Sequence, residues 1–226
     1  MTNFSDKVLN FYSNLKINVE LPDDVSVMDP YGNEDVIKVV VAFYEKYYAD
    51  AKRRTMILGI NPGRFGAGIT GIPFTDSVQL EQKCKIRNNF DKKPELSSIF
   101  IYQMIEAFGS IKKFYKQFYI SSISPLGFVK DGKNMNYYDA KTLQNILQDF
   151  ILESIQKQID FGTKQDVCYC LGQGKNYKYL NDLNKEHHFF EKIIPLAHPR
   201  YILQYKRKFV DRYINEYLTK FEKMSN

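Results

Sequence analysis

Tryptophan is absent from the 226-residue chain, and cysteine and histidine occur only three times each. Cys84, Cys168 and Cys170 are odd in number and never spaced Cys-x-x-Cys, which argues against a disulfide framework, a structural zinc or a four-cysteine iron–sulfur cluster. Cys168 and Cys170 flank Tyr169 in an apolar run and read as small core residues of a strand. No apolar run reaches the length that crosses a bilayer, and the opening MTNFSDKVLNFY lacks the basic-then-apolar order of an export signal. The expected location is the cytoplasm, with no membrane partner. Repeats, low-complexity tracts and linkers rich in Pro, Gly or Ser are missing too. The expectation is therefore one domain over residues 1–226, long enough to bury a substantial core.

What the chain does have is 17 Tyr and 17 Phe. Base-stacking surfaces would use such residues, and an AT-rich coding sequence would also produce them. Lys and Arg exceed Asp and Glu by 32 − 26 = 6, with a pI near 9.0, a mild bias toward a polyanionic partner.

Short apolar runs at Thr55–Ile60, Phe118–Ile123, Val167–Leu171 and Lys192–Leu196 predict buried strands. Helical spacing of apolar residues predicts helices over Val36–Tyr48, Ser97–Phe108 and Ala140–Ile159. A last helix runs from Tyr201 to Phe221, with Lys206, Arg207, Lys208, Arg212 and Lys220 on its other face. Strands alternating with helices imply an α/β fold whose mainly parallel sheet is covered on both faces. Ligands of such sheets bind beyond the carboxyl ends of the strands.

One of those ends runs into TMILGINPGRFGAGITGIPF, residues 55–74, with glycines at 59, 63, 66, 68 and 71. A phosphate-binding P-loop would close on Gly-Lys-Ser/Thr, which is missing here. Pro62 and Pro73 fit poorly with a dinucleotide-binding turn that opens a helix. So much glycine still demands an unusual backbone path or a close approach.

Gly59-Ile60-Asn61-Pro62-Gly63, then Gly66 and Thr70-Gly71-Ile72-Pro73-Phe74, resembles the first active-site motif of the uracil-DNA glycosylase superfamily. It is most similar to the single-strand-selective monofunctional uracil-DNA glycosylases. Ser121-Ser122-Ile123-Ser124-Pro125-Leu126-Gly127-Phe128 matches that family's middle element, and Ala197-His198-Pro199-Arg200 its second motif, in the same order. The resemblance implies a three-layer α/β/α sandwich with a four-stranded, mainly parallel sheet. It also implies a DNA glycosylase that needs no metal or cofactor and works on DNA as a monomer.

Roles follow residue by residue. Asn61, fixed by Pro62, would hold the attacking water, although Asn-Pro also opens purely structural Asx turns. His198 would donate to the base oxygen that gains charge as the bond breaks; the alternative is a satisfied histidine at a strand end. His187 and His188 lie in the polar NKEHHFFEK and read as solvent-facing. Phe74 would stack on an extruded base, with Gly59, Ile60, Gly63, Gly71 and Ser122 completing the base site. Arg64, Gly66, Gly68, Arg200, Tyr201, Gln204, Tyr205, Lys206 and Arg207 are the DNA-binding candidates, the last six in the segment that would enter the duplex. No lysine in the motifs is placed to form a Schiff base, so water is the expected nucleophile.

Two positions depart from the animal members. Ser122 stands where an asparagine reads uracil, and Arg64 where they have proline. A hydroxyl cannot offer the paired donor and acceptor of an amide, so uracil preference is expected to relax. Both departures resemble a bacterial second subgroup that acts on deaminated bases, xanthine among them. Two other functions fit the same residues: a nucleic-acid-binding protein that keeps the base pocket without turnover, and a hydrolase of free nucleosides or nucleotides.

Overall fold

A computed structural model describes residues 2–222. The chain opens with helix α1 (Phe4–Ser13), started by Asn3, whose side chain accepts from Asp6 N while Asp6 caps Asn3 in return. Strand β1 (Val25–Met28) leads to α2 (Glu34–Tyr48), capped by the Asn33 side chain. Strand β2 (Thr55–Gly59) follows, and then two short helices, α3 (Ala67–Thr70) and α4 (Ser77–Gln82). Helices α5 (Leu96–Ala107) and α6 (Ile111–Gln117) precede β3 (Phe118–Ser122), β4 (Gly127–Lys130) and β5 (Lys133–Met135). The remainder runs α7 (Lys141–Ile146), α8 (Gln148–Ile159), β6 (Val167–Leu171), α9 (Lys175–His187), β7 (Lys192–Leu196), α10 (Pro199–Tyr205) and α11 (Val210–Glu222).

The four predicted strands form one sheet in the order β3-β2-β6-β7, and every pairing in it is parallel. This is the expected α/β architecture of a four-stranded sheet flanked by helices. All residues of β3 and β6 are buried, as continuous apolar strands of a sheet covered on both faces should be. Register decides what meets at the carboxyl edge. Gly59 pairs with Ser122 and Leu171 with Leu196, so the residues just past β2, β3 and β7 emerge on the same side.

Three features differ from the sequence reading. A second, antiparallel sheet of order β1-β4-β5 packs beside the first. The run Ala140–Ile159 is two helices that part at Leu147. The C-terminal run is also divided: α10 ends at Tyr205, a 3-10 turn covers Arg207–Phe209, and α11 begins anew. That break leaves Tyr205 and Phe209 exposed between two packed helices. Among the described residues no helix is long and apolar enough to cross a membrane.

Candidate active site

A cavity of about 390 Å³ opens at the carboxyl edge of the parallel sheet. Ile60, Asn61, Pro62, Gly63 and Ala67 line it from the loop after β2, with Pro73 and Phe74 following. Ser122 comes from β3, His198 from just past β7, and Arg200, Tyr201, Gln204 and Tyr205 from α10. Asn134, Asn136 and Tyr138 enter from the second sheet and the segment after it, and Glu95 and Ser97 from the start of α5.

Asn61 is held in one orientation. Its Nδ2 donates to Met135 O and to Pro62 O, both at 3.2 Å, and its Oδ1 accepts from Tyr137 N at 3.2 Å. Two backbone carbonyls and one backbone N–H thus fix which end of the amide is oxygen. The second lone pair of Oδ1 is left for a water or ligand. The clamp belongs to β5 and its exit, so the small antiparallel sheet positions this side chain.

His198 caps α10, with Pro199 at the first helical position. Its Nδ1 accepts from Arg200 N at 3.2 Å, which requires an unprotonated Nδ1 and puts the ring hydrogen on Nε2. Burial, and then the neighbouring Arg200 guanidinium, push its pKa down to about 4. The ring at neutral pH is therefore a neutral N–H donor.

The Phe74 ring lies 6.2 Å from that of His198, tilted by 48°. Its backbone is left-handed, with φ 54°, a conformation that costs a non-glycine residue about 1–3 kcal/mol and gathers at functional sites. The ring packs onto Gly59, where a Cβ would lie 2.5 Å from Phe74 Cε2. This is why β2 must end in glycine.

Ser122 is buried, lines the cavity, and its hydroxyl bonds to no described residue. Glu95 carries a carboxyl whose pKa burial, helped by nearby Asp76, raises to about 7.

The glycine loop corrects part of the sequence reading. Gly59, Gly66, Gly68 and Gly71 do not line the cavity. The N–H groups of Gly66 and Gly68 both bond to Gly63 O, at 3.1 and 3.0 Å, and that of Gly71 to Ala67 O at 2.8 Å. These amides close the loop and are not free donors for base or phosphate. Gly68 is small because Met28 Sδ would lie 2.1 Å from a Cβ there, and Gly71 takes φ 70° at the end of α3. Arg64 is exposed and also outside the cavity; its backbone N–H donates to Asn134 Oδ1, its guanidinium to Gly132 O, and it covers the Phe65 ring at 4.7 Å. Lys206 and Arg207 follow the rim residues of α10 without lining the cavity. His187 and His188 are exposed, as read.

Sequence reasoning missed Glu95, Asn134, Asn136 and Tyr138. The hairpin carrying Asn134 did have a signal. Asp131-Gly132 sits between β4 and β5 with both residues at positive φ, 50° and 68°, the pattern of a tight two-residue hairpin turn. Glu95 had none, being one acid before one helix.

The family model of the uracil DNA glycosylase superfamily matches residues 45–222. A solved structure described as the crystal structure of wild-type Pedobacter heparinus SMUG2 is 46% identical in sequence, with 100% of each chain covered and a TM-score of 0.98.

Proposed function

The chain belongs to the uracil DNA glycosylase superfamily and is a DNA glycosylase, and from that premise we propose that Asn61 and His198 carry the hydrolysis of a deaminated base from DNA. The observation that carries the reading is one cavity walled by a fixed amide, a neutral imidazole and an aromatic ring. Uracil and xanthine are the substrates proposed.

The target nucleotide leaves its stack and its base lies against Phe74, at a cost of a few kcal/mol for flipping. Asn61 Oδ1 holds a water at the sugar carbon. A neutral amide is a weak base, so its contribution is placement. As the N-glycosidic bond lengthens, positive charge grows on the sugar and negative charge on the base oxygens. His198 Nε2–H donates to one of those oxygens, and the bond strengthens as the charge appears. Ser122 offers one hydroxyl, able to donate or accept, and so favours no single pattern of base edge. Arg200, Tyr201, Gln204 and Tyr205 rim the cavity where the duplex or single strand would lie; Tyr201 and Tyr205 are 43% and 66% exposed, with surface free for stacking. Lys206 and Arg207 contact phosphates beyond the rim.

The test is base release from single- and double-stranded oligonucleotides containing uracil, xanthine, hypoxanthine or 5-hydroxymethyluracil, read as strand breaks after alkali. Release of uracil or xanthine is expected, and Asn61→Ala should slow it by at least about 10²-fold. Tight binding with no abasic product would support the non-catalytic reading instead. Turnover of free nucleosides alone would support the other rival.

A further inference from the structure

The chemistry proposed above leaves Glu95 without a task, yet the position of this residue is costly. Its carboxyl lines the cavity and is pressed against the glycine loop: a Cβ at Gly66 would lie 2.1 Å from Oε2, and one at Gly63 2.9 Å from Oε1. With glycine at both positions the carboxyl sits directly against the loop, and a side chain at either would push it aside. The carboxyl is poorly answered in return. Ser98 Oγ donates to Oε2 over a long 3.4 Å, and Oε1 accepts from no described residue.

The charges around it are few. Asp76, ahead of α4, faces it with like charge and is itself tied down by the N–H groups of Val78, Gln79 and Glu95. Arg200 on α10, which lines the same cavity, acts on it electrostatically without forming an ion pair. The one charge of the glycine loop near it, Arg64, is turned to Gly132 O and the Phe65 ring, and Ser98 is neutral. A carboxyl so placed is held as readily neutral as ionised near neutral pH.

We propose that Glu95 is a substrate-binding residue that carries a proton when DNA is bound, so that loading the cavity takes up one proton from solvent. The inference rests on the reading of this cavity as a DNA site. A nucleotide brings its phosphodiester charge to a wall that already holds a carboxylate, and repulsion between them is strong where water is excluded. Protonation removes the repulsion and turns an acceptor-only group into an O–H donor toward the nucleotide. The proton is returned to solvent on release, and no bond of the DNA is altered by the step.

Wild-type protein is bound to an oligonucleotide carrying 2′-fluoro-deoxyuridine, which resists cleavage, by anisotropy across neutral pH and by calorimetry in two buffers of different ionisation heat. Affinity should fall about tenfold per pH unit above about 7, with nearly one proton taken up per complex at about one unit higher. Glu95→Gln should bind with a flat pH profile at the wild type's acid-side affinity, and with that proton gone. Binding without proton uptake by the wild type, or an unchanged slope in Glu95→Gln, overturns the inference alone. The calorimetry needs no variant, so a misfolded Glu95→Gln leaves it decisive. No binding at any pH overturns the reading of the cavity as well.

Discussion

At the amino end of the central strand, the Arg54 guanidinium is fully buried and every donor is answered. Its Nε bonds Tyr115 O, Nη1 bonds Asp50 and Lys52 O, and Nη2 bonds Asp50 and Tyr47 O, over 2.7–3.3 Å. The Phe4 and Tyr48 rings lie 4.7 Å from it. At the carboxyl end of the same sheet, the Ser122 hydroxyl, His198 Nε2, Glu95 Oε1 and a lone pair of Asn61 are left open toward one cavity. Buried polar groups are almost always paired, so a cluster of unpaired ones marks where something else completes the set. One end of β2 holds the fold, and the other waits for a ligand.

The comparison breaks first at Arg54. Arg54→Ala strips Asp50 and three backbone carbonyls of a partner and empties the space beside two stacked rings. The loss should be about 3–5 kcal/mol, read as a lower denaturation midpoint in urea at constant slope. Base release per folded molecule should stay at the wild-type rate. A loss below about 1 kcal/mol would show that the amino end is no more built for stability than the other.

His198 sharpens the contrast from the opposite side. His198→Ser keeps an oxygen that can cap α10 in place of Nδ1 and removes the Nε2–H donor. Stability should change by less than about 1 kcal/mol, while base release should slow by about 10²–10³-fold. Sign matters for the pH profile. The folded-state pKa near 4 lies below the ordinary 6.5, so the imidazole is neutral above about 5 and gives the wild-type rate no acid limb there. Stability linked to this group is fully present above 6.5 and is lost as pH falls toward 4. A rate that rises from pH 7 to 6 in wild type but not in His198→Ser would mean that the working form is the imidazolium.

The two ends were unequally legible in the sequence. All four strands of the parallel sheet stood out as short, mainly apolar runs, and Asn61, Phe74, Ser122 and His198 were read from motifs at or after the ends of three of them through their family resemblance. The second sheet is short and half exposed, and strands of three or four residues such as Lys133–Met135 carry almost no periodic pattern. The clamp on Asn61 was hidden with it, being made by backbone atoms of Met135 and Tyr137 that no side-chain motif reports. Glycines pointed to a close approach correctly but not to its partner. Gly59 accommodates Phe74, Gly68 accommodates Met28, and Gly63 and Gly66 accommodate Glu95, all contacts within the protein. Arg54 and Glu95 were opaque for one reason: a charge is recognised as buried only when the chain distant in sequence closes over it.

Ser122 offers the smallest and most discriminating change. It is the β3 residue that lines the cavity, and it pairs in register with Gly59, on which the Phe74 ring packs. An asparagine there would present a fixed donor and acceptor to a base edge, and a site built on paired hydrogen bonds rejects the mismatched base. Ser122→Asn should therefore raise the ratio of uracil to xanthine release by about tenfold, roughly 1.4 kcal/mol between the two transition states. The readout is competition between the two bases in one reaction, which cancels any shared loss from crowding the buried position. An unchanged ratio would place base selection elsewhere on the wall, with Asn134 and Asn136 the next amides to replace. It would also mean that an open hydroxyl at the carboxyl end can be as silent toward substrate as a satisfied group at the amino end.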